Sequence, residues 1–120
     1  MAKTILIVED YKDAREFMKV LLEMSGYEVL EARDGYEAVE MVRKKSPSLI
    51  LMDISLPSMD GLTATQIIKN SPEASHIPIL AVTAHGDSFY KRAIDAGCED
   101  LIPKPLDFDT LKPYLEQYLK

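Results

Sequence analysis

"SLILMDISLPSMDG" spans Ser48 to Gly61, and its first half decides the fold. Leu49, Ile50, Leu51 and Met52 form an unbroken apolar run that ends on an acid, Asp53. A short run that is apolar at every position reads as a strand covered on both faces, the pattern of a parallel sheet. An unpaired carboxylate is costly to bury. Asp53 therefore belongs at the open end of the strand, beside groups that compensate it. Pro57 and Gly61 punctuate the loop that follows.

Outward from this run, the chain alternates between two periodicities. Thr4 to Val8 is another continuous apolar, β-branched run and predicts a first strand. Ala14, Phe17, Met18, Leu21 and Leu22 recur at helical spacing, from a start at Asp10 or Tyr11 to a stop at Ser25-Gly26. Tyr27 to Ala32 reads as a strand, Asp34-Gly35 as a turn, and Ala38, Val39 and Val42 as a helix ending near Lys45 before Pro47. After the Leu49–Asp53 strand, Leu62, Ile67 and Ile68 mark a third helix, shortened by Ser71-Pro72, with Asp60 as its cap. Ile77 to Val82 predicts the fourth strand and Gly86 to Ala96 the fourth helix, closed by Gly97. Asp100 to Ile102 is a short fifth strand between prolines, and Phe108, Leu111, Leu115 and Leu119 stripe a last helix. Pro113 is tolerable there if Asp109 is the cap, and predicts a kink if Asp107 is. Five strand–helix pairs in regular alternation imply an α/β fold: a single doubly wound, five-stranded parallel sheet with helices on both faces.

Composition narrows the function. The 120 residues suit one domain, and an apolar share of 47% supports a real core. The formal charge of −6 disfavours direct binding to nucleic acid and suits a divalent cation. One cysteine, Cys98, excludes an internal disulfide; it reads as a packing residue. No leader or membrane span is recognisable, so the cytoplasm is the expected compartment and no membrane partner is expected. With only His76 and His85 beside that cysteine, zinc is not expected.

In such sheets ligands sit beyond the carboxyl ends of the strands. The ends here carry Glu9-Asp10, Asp53, Thr83 and, close to the fifth, Lys104. Taken singly, each has an ordinary explanation: acids cap helices, Thr83 caps the next helix, Lys104 is a solvated surface lysine. Their joint placement on one rim does not. Three crowded carboxylates destabilise one another unless a cation intervenes. Mg²⁺ prefers such oxygen ligands, with Mn²⁺ as an alternative, and Lys104 adds a mobile positive charge. A carboxylate beside a metal and a lysine can attack phosphorus to give an aspartyl phosphate. Thr83 could donate a hydrogen bond to the phosphoryl oxygens.

With "ILIVED" (Ile5–Asp10), "LILMDISLPSMDG" (Leu49–Gly61), "AVTA" (Ala81–Ala84) and "KP" (Lys104-Pro105), the chain resembles a response-regulator receiver domain of two-component signalling, over essentially its whole length (1–120). The resemblance implies a flavodoxin-like sheet of order 2-1-3-4-5. It implies that Asp53 accepts a phosphoryl group from a histidine kinase or phosphotransfer protein. It implies that Glu9, Asp10, Asp53 and the backbone carbonyl of Ser55 hold Mg²⁺, Glu9 directly or through water. Thr83 would move toward the phosphoryl group, Ala84 would leave room for it, and Lys104 would pair with it or with Asp53. The Lys104-Pro105 bond would be cis.

The family usually has Tyr or Phe three residues before the lysine; here that position is Leu101. Either the switch runs through Thr83 and the loop Ala84 to Asp87, or another residue substitutes, with Tyr90 as a candidate. His85 reads first as a surface loop histidine; a sharper reading has His85 and Ser55 tune water attack on the aspartyl phosphate. No output domain is expected, so the signal would pass to an unidentified protein through the fourth and fifth helices and strand five. The chain would be a phosphoryl acceptor with slow intrinsic dephosphorylation, not an enzyme. Three alternatives stand beside this. A Mg²⁺-dependent aspartyl-phosphate phosphatase of haloacid-dehalogenase type would need an acid at position 55, where Ser55 stands. A flavin carrier would need a phosphate-cradling loop where Glu9-Asp10-Tyr11-Lys12-Asp13 stands. A receiver excised from a longer protein is the third.

Overall fold

β3 (Leu49–Asp53) is the middle strand. The computed structural model describes residues 2–54, 59–84 and 86–119. In it, five parallel strands stand in the order β2 (Glu28–Ala32), β1 (Thr4–Val8), β3, β4 (Ile79–Thr83), β5 (Asp100–Pro103). The helices are α1 (Lys12–Met24), α2 (Gly35–Lys45), α3 (Gly61–Lys69), α4 (Tyr90–Ala96) and α5 (Phe108–Tyr118). This is the doubly wound sheet that the alternation predicts.

Alternate residues of the inner strands feed two cores. Leu6, Val8, Ile50, Met52, Ile79, Ala81 and Leu101 pack with α2, α3 and α4 on one face. Ile5, Ile7, Leu49, Leu51, Leu80, Val82 and Ile102 pack with α1 and α5 on the other. β3 and β4 are buried at every position, and each buried Leu or Ile contributes about 1.5–3 kcal/mol. Parallel register brings the carboxyl ends level: Val8 pairs with Met52, Asp53 with Val82, and Thr83 with Pro103.

Several boundaries differ from the sequence reading. β4 begins at Ile79 rather than Ile77, because the Ile77 N–H closes a turn on the Ala74 carbonyl at 3.0 Å and Pro78 follows it without an N–H. β2 starts one residue late at Glu28, and β5 runs on to Pro103. The predicted Gly86 helix opens instead as a 3-10 turn, Gly86–Phe89, before α4 begins at Tyr90; Gly86-Asp87-Ser88 is a weak helix-forming start. Asp34 is more than a turn residue: its side chain caps α2 by accepting the Glu37 N–H at 2.9 Å. Asp60 caps α3 as expected, accepting the Thr63 N–H at 2.8 Å. The cap of α5 is Asp107, so Pro113 lies inside the helix; it and Asp109, the residue one turn before it, are both exposed, and α5 continues through as one element.

Cys98 is buried under α4, with its sulfur 3.8 Å from the Thr65 hydroxyl. Burial pushes its thiol up from 9.0 to about 11, so the protonated form is favoured by folding. That contribution is complete below pH 9.0 and is lost as the pH rises through the folded value. The thiol is expected to resist a disulfide reagent at pH 8 in the native protein and to react fully in guanidinium; fast native labelling would contradict this burial.

Candidate functional site

The acids meet where β1 and β3 end. Single carboxylate oxygens of Glu9, Asp10 and Asp53 lie within 4.8 Å of one another. Asp10 is exposed, whereas Glu9 is 2% and Asp53 6% accessible. Two of the three are therefore taken out of water, which is tolerable only with a partner. Lys104 supplies it. Its Nζ donates to Glu9 Oε1 at 2.8 Å and to Asp53 Oδ2 at 3.2 Å, from the loop after β5. Burial, the largest single influence on Lys104, lowers its pKa, but the bonds and charges of Glu9 and Asp53 outweigh it and hold the ammonium above the ordinary lysine value. Lys104 therefore stays charged throughout the neutral range.

The backbone fixes these groups. The Lys104 N–H donates to the Thr83 carbonyl at 2.7 Å, tying the lysine loop to the end of β4. The Lys104-Pro105 peptide is cis, as expected. Thr83 is buried, Ala84 is exposed just beyond it, and Leu101 is 6% accessible in the core under α4. Ser55 and His85, expected as metal ligand and dephosphorylation residue, lie outside the described residues.

Two contributors escaped the sequence reading. In the sequence Gly61 reads only as loop punctuation, yet an added Cβ there would run into the Asp53 carbonyl oxygen and stand 2.8 Å from the Ile54 Cα. The start of α3 thus presses directly on the peptide after the acid. Arg15 on α1 reaches the Glu9 carbonyl with Nη1 at 2.9 Å. Nothing in the sequence separates it from a solvated helix arginine.

The arrangement can bind a hard divalent cation: oxygen donors only, clustered, and partly open to water through Asp10. It can also present a carboxylate oxygen of Asp53 to an electrophile, with an ammonium beside it. The family model described as the response regulator receiver domain matches residues 5–116. The chain belongs to this family. Among relatives of this receiver domain, the polar-differentiation response regulator DivK of Brucella ovis is 42% identical over 122 residues, covering 96% of this chain and 98% of that protein. The receiver domain of a sensor histidine kinase from Pseudomonas aeruginosa PAO1, crystallised with a magnesium ion in its active site cleft, superposes with a TM-score of 0.90 at 31% identity, covering 99% of this chain and 98% of that one. Chemotaxis response regulator CheY4 of Vibrio cholerae gives a TM-score of 0.91 at 25% identity, over 98% and 99% of the two chains. This receiver domain is therefore a module of two-component signalling.

Proposed function

We propose that Asp53 is the phosphoacceptor of this switch. The observation that carries the reading is the shared Lys104 ammonium, bonded to both Glu9 and Asp53 within a cluster of three carboxylates. Glu9, Asp10 and Asp53 would hold Mg²⁺, with the Ser55 carbonyl as a further ligand; bound there, it would offset charge on the phosphoryl oxygens. Mn²⁺ suits the same oxygen donors.

The chain's own groups account for the rest. An Asp53 carboxylate oxygen attacks phosphorus, the bond from phosphorus to the donor imidazole breaks, and the imidazole leaves with its electron pair. Lys104 follows the charge from carboxylate to phosphoryl oxygen, Thr83 donates its hydroxyl to a second oxygen, and the small Ala84 leaves space. Water, tuned by Ser55 and His85, then slowly attacks phosphorus, the bond from phosphorus to the Asp53 oxygen breaks, and inorganic phosphate leaves as the carboxylate returns; on this reading the chain is a phosphoryl acceptor rather than an enzyme.

A histidine kinase or phosphotransfer protein is the proposed donor. Phe17, Val20 and Met24 expose an apolar stripe on α1. It leads into a groove of about 400 Å³ walled by Phe17, Ala84, Lys104 and Pro105, at the edge of the acid cluster. The downstream protein would read the α4–β5–α5 face, where Tyr90 and Phe108 are exposed. Leu101 is a core residue, so the signal would run through Thr83 and the segment after it. We further propose that residues 1–120 act as a single receiver domain, in the cytoplasm. The near-complete match to the DivK relative supports the first point. For the second, no helix among the described residues is long and apolar enough to cross a membrane.

With acetyl phosphate or phosphoramidate and Mg²⁺, the protein is expected to gain the mass of one phosphoryl group. The adduct should be cleaved by hydroxylamine and absent in excess EDTA. No adduct from these donors or from a histidine-phosphorylated protein would sink the reading.

A further inference from the structure

We propose that Arg15 is a positioning residue that preorganises Glu9 and Asp10 for the divalent cation. The inference rests on the proposed reading of the site. Arg15 leaves α1 with its side chain only 13% exposed. Its planar fork spans two acceptors: Nη1 donates to the Glu9 carbonyl at 2.9 Å, and Nε to Glu31 Oε1 of β2 at 3.3 Å. Lys19 holds the other Glu31 oxygen at 3.7 Å.

The Glu9 backbone is thus gripped on both sides. Its N–H donates to the Ala32 carbonyl at 3.0 Å, and its carbonyl accepts from Arg15. The Glu9 carbonyl and the Asp10 amide share one peptide plane. Fixing that carbonyl fixes the direction in which Asp10 leaves the strand. A third bond, from the Tyr11 N–H to Glu9 Oε2 at 3.2 Å, sets the Glu9 carboxylate. Arg15 meets the cluster at the Glu9 backbone carbonyl and not at a carboxylate; it acts through the peptide.

Charge and position predict opposite signs. Removing a cation behind an acidic cluster should, by charge alone, tighten Mg²⁺ binding. Removing a positioning residue should weaken it, as loss of outer contacts to metal ligands does. The experiment is a Mg²⁺ titration of the full chain, followed by amide shifts of residues 9–11, with thermal melting in parallel. Arg15→Met is expected to raise the Mg²⁺ midpoint about tenfold. Arg15→Lys keeps the charge but cannot bridge both acceptors, and is expected to raise it less. An Arg15→Met protein that melts lower yet binds Mg²⁺ as tightly as the wild type, or more tightly, overturns the proposal. If that variant does not fold, an unchanged midpoint in Arg15→Lys overturns it. A wild-type protein with no saturable shift removes the metal site itself, and with it the proposed function.

Discussion

An Asp53→Asn protein is expected to take no phosphoryl group from acetyl phosphate, phosphoramidate or a histidine-phosphorylated donor, while melting at or above the wild-type temperature in metal-free buffer. The first half follows from chemistry: an amide oxygen is a poor nucleophile toward phosphorus, and Asn keeps the side chain's shape. The second follows from charge. Three carboxylates crowd within 4.8 Å, and the Lys104 ammonium bonds two of them. Replacing a buried acid by a neutral amide relieves repulsion, and Lys104 retains Glu9. Intact-mass spectrometry and a thermal melt read both halves. An Asn variant that is phosphorylated at the wild-type rate moves the acceptor elsewhere.

Gly61→Ala is expected to have the largest effect on stability of any one-carbon change near the site. Its new Cβ meets backbone, the Asp53 carbonyl oxygen and the Ile54 Cα, not a side chain that could rotate away. Either α3 retreats or the peptide after Asp53 bends. Overpacking of this kind costs about 3 kcal/mol, measurable by urea denaturation. Displacing the acceptor by about 1 Å is also expected to slow phosphoryl uptake by about a hundredfold. Gly26→Ala is the control. Gly26 sits at the far end of α1 with φ +93 and nothing within 4 Å of an added Cβ. It should lose about 1–2 kcal/mol through backbone strain and keep the wild-type uptake rate. A Gly61→Ala protein indistinguishable from wild type in both measurements would refute the contact.

The sheet was legible because β1, β3 and β4 are apolar at nearly every position, and only a doubly covered strand tolerates that. The rim was legible for the complementary reason: acids, a hydroxyl and a lysine interrupt those runs where each strand ends. What escaped was the support behind the rim. Arg15 acts through its fork and Gly61 through the absence of a side chain, and neither carries a charge pattern or spacing that announces it. The start of β4 escaped because Ile77 is as buried as a strand residue while its N–H closes a turn. The opening of the fourth helix escaped because apolar spacing does not separate a 3-10 turn from a first α turn.

Lys104 behaves as a tethered counterion. A dissolved cation occupies the cluster in proportion to its concentration, whereas this one is carried at unit stoichiometry by the chain and reaches both buried acids. Lys104 therefore offsets part of the cluster's acidity whether or not a metal is bound. Withdrawing Mg²⁺ is expected to silence the proposed chemistry while leaving most molecules folded. How much switch a cell holds and how readily that switch is charged are set by separate variables.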